Sequence, residues 1–270
     1  MSERIVVTSP KGGVGKTTVS LNLALALAER GQRTLIVDLD PQGGIGLSLA
    51  KRDGEWRGIV DVLAAEAPAT DVVVRTNEPR LAILPRGRLD PVEVPAFEEA
   101  LRAPGSLAAL LRPIEDAFDR VILDTPSGLG GISRAALAVA DWALVVFKAE
   151  PLAMRSIQQV LRVLEHVRDT ERPELSLLGI LPTMVELSKE YSQSSMVALW
   201  TELEGVLDSS IPRAESRARA SQLGVPVSYL DGRTPPEARR FAQLAEEIEG
   251  IIASSRRDHA VEERALRALV

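Results

Sequence analysis

Pro10-Lys11-Gly12-Gly13-Val14-Gly15-Lys16-Thr17-Thr18 is a glycine-rich loop with two lysines, and its flanks decide the fold. Before it, Arg4-Ile5-Val6-Val7-Thr8 is a continuous apolar run of the length of a buried strand. After it, Val19 to Arg30 places Leu23, Ala24 and Leu27 at helical spacing, and Gly31 stops the helix. A glycine loop between strand and helix aims successive backbone N–H groups, and the positive end of the helix, at one anion. Gly12, Gly13, Val14 and Gly15 form that cradle. Lys16 adds a point charge for the β- and γ-phosphates of a nucleotide, and the Thr17 hydroxyl can ligate magnesium. The common spacing of such loops has glycine at position 10, where this chain has proline. The variant adds Lys11, too far from Lys16 to duplicate it and able to reach a phosphate on a neighbouring subunit.

Two further segments repeat the design. Arg33-Thr34-Leu35-Ile36-Val37 is a second buried-strand pattern, ending in Asp38-Leu39-Asp40-Pro41-Gln42. Strand alternation predicts Asp38 and Asp40 on one side, where the end of the strand faces the phosphates. One carboxylate near magnesium and one near the attacking water is a workable division for hydrolysis. Arg120-Val121-Ile122-Leu123-Asp124 is a third apolar strand ending in an acid, a source of a water-mediated magnesium contact, and Thr125-Pro126-Ser127-Gly128 turns the chain away. A glycine loop alone is often a turn, and an acid after a strand is often a helix cap. Three such elements in this order, each closing a buried strand, point to a nucleotide site.

These motifs resemble those of the ParA/MinD group of P-loop ATPases with a deviant Walker A motif, and ParA more than MinD. Residues 11–18 match the signature-lysine loop, Asp38-Leu39-Asp40-Pro41-Gln42-Gly43 the second motif, and Val121-Ile122-Leu123-Asp124-Thr125-Pro126 the Walker B strand. Lys148-Ala149-Glu150-Pro151-Leu152-Ala153, Gly179-Ile180-Leu181-Pro182-Thr183-Met184 and Ile211-Pro212-Arg213 agree with ParA. The resemblance implies that Lys16 holds the phosphates, Thr17 the magnesium and Thr18 the α-phosphate side. It also implies that Lys11 crosses to the partner's nucleotide in an ATP-bound homodimer. Asp40 would position the hydrolytic water, Asp38 and Asp124 would organise magnesium, and Thr183, Met184, Pro212 and Arg213 would line the adenine. It further implies a slow ATP hydrolase whose dimer binds double-stranded DNA without sequence preference. A ParB-like or cargo-adaptor protein would trigger hydrolysis, and the outcome would be positioning of a chromosome, plasmid or protein assembly. The setting it implies is cytoplasmic and nucleoid-associated.

Strand and helix patterns alternate along the chain, which predicts an α/β fold with a mostly parallel twisted sheet and helices on both faces. At 270 residues and 45% hydrophobic the chain is long enough for one such domain, read as residues 1–254, with a C-terminal tail helix over 255–270. Helices are expected at Gly58–Ala65, Gly105–Phe118, from Pro151, at Lys189–Leu207 and at Pro235–Ile252. The stretch 43–95 otherwise reads as irregular, apart from a strand at Leu81–Leu84. Cysteine is absent, which excludes disulfides and thiolate metal or iron–sulfur sites. No apolar run approaches the ~18 residues of a membrane span. The N-terminus enters a strand at once, without a charged-plus-apolar leader. The expectation is therefore a cytoplasmic protein without an N-terminal DNA-reading arm.

The net charge of −6 makes the whole molecule no polyanion binder, so a DNA footprint must be local. Residues 213–240 carry Arg213, Arg217, Arg219, Arg233, Arg239 and Arg240 against Glu215, Asp231 and Glu237. The segment is thus +3 within a chain of −6, leaving −9 for the rest. Such a cluster is often an ordinary solvated surface. A dimer doubles the face, however, and phosphate contacts add through counterion release. Family members of this kind often carry a basic residue three positions after the arginine; here Ser216 stands there, with Arg217 and Arg219 as substitutes. The alternative is a MinD-like ATPase at a membrane surface. The tail from Arg256 to Val270 lacks aromatics and balances arginines with acids, so it reads as a packing or partner helix, with no membrane partner expected. A biosynthetic enzyme using the same cradle for amide ligation is a third reading, without a substrate-pocket signature. His166 and His259 lack metal-ligand spacing, and Trp56, Trp142 and Trp200 read as packing residues.

Overall fold

The computed structural model of the protein describes residues 2–47, 56–150, 153–214, 220, 226–229 and 236–268. Its strands are β1 (Glu3–Thr8), β2 (Thr34–Asp38), β3 (Val74–Arg75), β4 (Leu81–Leu84), β5 (Arg120–Asp124), β6 (Trp142–Lys148), β7 (Ser176–Val185) and β8 (Ile211–Pro212). They form one sheet in the order β3-β4-β2-β5-β1-β6-β7-β8. Among these described strands the β3–β4 pair alone is antiparallel. A parallel sheet is covered on both faces, which is why its strands read as unbroken apolar runs. Ile5, Val6, Val7, Leu35, Ile36, Val37, Val121, Ile122 and Leu123 are all fully buried.

The helices are α1 (Lys16–Glu29), α2 (Gly44–Leu47), α3 (Ile59–Leu63), α4 (Ala69–Val72), α5 (Val94–Arg102), α6 (Ser106–Leu111), α7 (Gly131–Leu137), α8 (Ala153–Thr170), α9 (Glu190–Glu202) and α10 (Pro236–Ala268). One apolar cluster joins Val6, Leu35, Val37 and Leu123 to Phe97 and Leu101 of α5, Leu137 of α7 and Ile157 and Val160 of α8. The opposite cluster joins Ile5, Val7, Ile36 and Ile122 to Leu23 and Leu27 of α1 and to Phe241, Leu244 and Ile248 of α10. The sheet is therefore clad on both faces, as its patterning predicts. Every residue of α1 from Val19 to Ala28 is buried. A helix apolar all round belongs to the interior, and α1 lies between the sheet and α10.

The structure departs from the sequence reading in several places, among them the short elements α2, α4 and β3 within the stretch 43–95 read as irregular. The helix expected over Gly105–Phe118 stops at Leu111 and resumes as a 3-10 turn at Glu115–Ala117, because Pro113 cannot donate within a helix. Helix α5, which starts at the end of the stretch read as irregular and runs past it, turns Phe97 and Leu101, one helical turn apart, into the core. Helix α7 likewise has no counterpart among the expected elements. Residues 255–268, set apart above as a tail helix, continue α10 without a break from Pro236. There Arg256 donates through Nε to Glu3 Oε1 at 2.7 Å, while Trp142 Nε1 donates to Glu3 Oε2 at 2.7 Å, pinning the helix to the foot of the sheet. Trp142 is a packing residue, but Trp200 is 51% exposed and does not pack as expected.

Candidate functional site

At the centre of the sheet β1 runs between β5 and β6, and at its C-terminal end the chain turns through residues 9–15 into α1. Gly13 (φ 69°) and Gly15 (φ 93°) both lie in the left-handed region, where a side chain is strained. Gly15 precedes the first turn of α1 and no side chain caps it, so the first amides of the helix stay open to an anion. Lys16 is 6% exposed, and its Nζ donates to Ser127 Oγ at 3.2 Å. Burial lowers its pKa, against the opposing pull of Asp124 and Asp40. A buried ammonium among carboxylates, at the mouth of a glycine loop, suits a polyanion that arrives with its own counter-cation.

The acids sit beside it. Thr17 Oγ1 donates to Asp124 Oδ2 at 2.8 Å, and Ser20 Oγ donates to Asp124 Oδ1 at 2.7 Å. In the β2–β5 ladder Asp38 is the direct register partner of Asp124. Asp38 Oδ2 accepts the Ile45 amide at 3.1 Å and Oδ1 the Asp40 amide at 3.3 Å. Burial, then the charge of Asp124, pushes Asp38 up to about 8. Burial pushes Asp124 up to about 6 despite the Ser20 and Thr17 hydroxyls and Lys16. Two buried carboxyls side by side cannot both ionise cheaply without a cation. Thr17 and Asp124, one hydroxyl and one carboxylate, are an oxygen donor set that fits magnesium.

This pair sets a pH signature for the nucleotide-free protein. Both folded pKa values lie above the unfolded value, so their stabilising share is complete below about pH 4 and is lost as pH rises through about 6 and then about 8. The melting temperature is expected to fall between pH 6 and pH 8, and the Asp38→Asn variant should lose most of that slope. Equal slopes in a calorimetric pH series would remove the assigned coupling.

Asp40 lies beyond the end of β2, so strand alternation does not place it; its Oδ1 accepts the Gln42 amide at 2.9 Å. Its charge nevertheless reaches Lys16, Asp38 and Asp124. Lys11 is half-exposed at the outer edge of the loop and pairs with Glu150 Oε1 at 3.0 Å, while Lys148 holds Glu150 Oε2 at 3.3 Å. The Lys11 hydrogen bond, ahead of other causes, lowers the Glu150 pKa.

A cavity of about 370 Å³ opens on the other side of the loop, with Val14, Gly15 and Thr18 on one wall and Thr183, Met184 and Arg213 on the other. The Thr183 hydroxyl lies 2.8 Å from both the Val14 and Phe147 carbonyls, tying the loop to β7. Met184 adopts φ 52°, a backbone strain of order 1–3 kcal/mol of the kind that collects at binding sites. Pro212 is half-buried on β8, and its neighbours Ile211 and Arg213 line the cavity. Gly12 packs against the residue that holds Lys16, since a β-carbon there would lie 3.3 Å from Ser127 Oγ.

The sequence-predicted loop and acids are thus brought together, and Arg213 joins the cavity, its guanidinium 3.3 Å from Glu186 Oε1. Arg239 and Arg240 lie exposed on α10. Arg217, Arg219 and Arg233 fall outside the described residues. Ser20, Ser127 and Glu150 join the site without having been expected there. Ser20 stands three residues past Thr17, a spacing that carried the signal. Glu150 is 139 residues from Lys11, beyond any local pattern.

The sequence profile described as "AAA domain" matches residues 2–177. The chain is 37% identical to the chromosome-partitioning ATPase Soj of Thermus thermophilus over 246 residues, 91% of this chain and 94% of that protein. Among solved structures it is similar to cobyrinic acid a,c-diamide synthase from Mycobacterium smegmatis with a bound ATP analogue and magnesium (TM-score 0.76, 31% identity), over 91% of this chain and 93% of that one. It is also similar to the cell division ATPase MinD of Pyrococcus furiosus (TM-score 0.75, 28% identity), over 93% of this chain and 100% of that one.

Proposed function

The chain belongs to the ParA/MinD family of ATPases, and we propose that it is a ParA-type positioning ATPase switched by ATP-dependent pairing of two copies. The observation that carries this reading is Lys11: a cation at the rim of the phosphate loop, half-exposed, and paired with a solvent-reached carboxylate. An exposed ion pair of this kind contributes about 0–1 kcal/mol. A triphosphate presents several negative charges where Glu150 presents one, so an incoming nucleotide draws the Lys11 ammonium away from Glu150.

In this reading Gly12 to Gly15 and Lys16 hold the β- and γ-phosphates, and Thr18 lies on the α-phosphate side. The cavity walled by Thr183, Met184 and Arg213 takes the nucleoside. Thr17 and Asp124 would hold magnesium, which would supply positive charge to the phosphate oxygens of the nucleotide. Asp38 keeps the start of α2 in place through the Ile45 amide. Asp40 orients the attacking water. Lys11 neutralises charge on the opposite copy's nucleotide.

The paired form binds double-stranded DNA through arginines of the 213–240 segment, and a partner protein sets the rate of hydrolysis and release. Among the described residues no helix is long and apolar enough to cross a membrane. Duplex DNA should bind more tightly with ATP than with ADP. Charge reversal at Arg239 and Arg240 together should lower the salt slope of binding by about 1 for each phosphate that the variant no longer neutralises, leaving pairing unchanged. Anisotropy with labelled duplex across a salt series measures this, and an unchanged slope would move the DNA face elsewhere. ATP-dependent retention on anionic liposomes instead of DNA would favour the membrane-surface reading.

A further inference from the structure

We propose that Arg86 is the positioning residue that holds the Asp40 loop in its hydrolytic geometry, an inference that rests on the water-orienting role of Asp40. The loop from Leu39 to Gly43 leaves β2 and closes on itself, with the Gly43 amide donating to the Asp40 carbonyl at 2.8 Å and the Gln42 amide to Asp40 Oδ1 at 2.9 Å. Both bonds are internal to the turn. Its base is tied by the Leu39 amide to the Asp124 carbonyl at 3.0 Å and by the Asp40 amide to Asp38 Oδ1 at 3.3 Å. Beyond Asp40 its tilt over the phosphate loop is set by the surfaces on either side. On one side Gly44 sits against Thr17, where a β-carbon would lie 3.1 Å from Thr17 Oγ1. On the other side Arg86, just past the end of neighbouring β4, donates from Nη1 to the Pro41 carbonyl.

Its guanidinium also lies against Gly43, where a β-carbon would come within 2.9 Å of Arg86 Cζ. Gly43 has φ 65°, so the loop needs glycine there for conformation as well as for clearance. The arm that reaches over is itself rigidly based. The Ile59 amide donates to the Pro85 carbonyl at 2.9 Å and the Val60 amide to the Arg86 carbonyl at 3.0 Å, fixing this segment to the start of α3. Gly58 permits that approach, since a β-carbon would lie 2.2 Å from the Pro85 oxygen. Arg86 Nε adds a bond to the Gly87 carbonyl at 3.0 Å, which aims the planar donor fork. The Asp40 loop is therefore clamped between the Thr17 hydroxyl and a guanidinium anchored to α3.

A displacement of about 1 Å at a reacting group costs about 100-fold in rate. Single-turnover hydrolysis, ATP affinity and melting temperature should be measured for Arg86→Ala, Arg86→Lys, Asp40→Ala and the Arg86→Ala/Asp40→Ala double variant. Arg86→Ala is expected to slow hydrolysis by about 10- to 100-fold with ATP affinity within about twofold of wild type. Arg86→Lys, which keeps one donor for Pro41, should recover part of the rate, and Arg86→Ala should cost nothing further once Asp40 is gone. A wild-type rate in Arg86→Ala, or the same loss in the Asp40→Ala background, would overturn the assignment. Should Arg86→Ala fail to fold, slowed hydrolysis at unchanged affinity in Arg86→Lys supports it and a wild-type rate rejects it. Asp40→Ala hydrolysing normally would remove the water-orienting role and this proposal together.

Discussion

Replacing Asp40 with alanine is expected to slow ATP hydrolysis by about 100- to 10,000-fold, the contribution of a positioned acid–base group, while ATP still binds. The geometry around three neighbouring acids supports the role proposed for Asp40. Both oxygens of Asp124 already accept hydroxyl hydrogen bonds, from Thr17 and Ser20. Both oxygens of Asp38 accept backbone amides, from Ile45 and Asp40. Of the three, Asp40 is the one carried on a loop outside the strands and partly exposed, yet its charge is felt by Lys16 and by both other acids. Its removal takes away one negative charge beside an incoming triphosphate, so affinity should hold or rise. The variant should therefore accumulate in the ATP form and stay on DNA. Single-turnover assays with a nucleotide-binding control measure both effects; a loss smaller than about 10-fold would shift the water-orienting role elsewhere.

The second large effect is expected for Lys11→Ala, which should abolish ATP-dependent pairing while leaving the isolated chain able to bind ATP. Lys16, not Lys11, is the buried cation inside the loop. Removing Lys11 therefore costs the single chain its pair with Glu150, about 0–1 kcal/mol for a partly exposed pair. Across a closed interface the same deletion leaves phosphate charge unmatched. Truncating one partner of a buried charge pair costs about 2–5 kcal/mol, a loss of about 30-fold or more in association, and the two-fold symmetry counts it twice. Isothermal titration with ATP, beside light scattering, separates the two: affinity preserved within a few-fold, pairing lost. Equal loss of both would make Lys11 an ordinary phosphate ligand.

How far the sequence carries can be seen residue by residue. The inner strands are readable because a parallel sheet buries both faces, so Ile5 to Val7 and Val121 to Leu123 are apolar without alternation. Gly13, Gly15, Lys16 and Thr17 are readable because a phosphate loop is one contiguous segment. The Thr17–Asp124 bond spans 107 residues and can still be anticipated, since Thr17 follows the contiguous phosphate loop and Asp124 closes its own strand pattern. Strand alternation is the wrong rule for Asp40, because β2 ends at Asp38 and the geometry beyond is set by turn hydrogen bonds. Arg86 over Gly43, Ser127 on Lys16 and Glu150 on Lys11 have no local period at all; they exist only once the sheet order is fixed. Helix α5 is hidden by Pro91 and Pro95, which read as loop signals although Pro95 lies in the first turn, where proline is tolerated.

The decisive measurement is sedimentation velocity of the Asp40→Ala variant with saturating ATP and magnesium, beside the Lys11→Ala/Asp40→Ala double variant. A two-chain species is predicted for the first and a single chain for the second. A single chain in both, or two chains in both, would contradict a switch made by Lys11 reaching across two bound nucleotides.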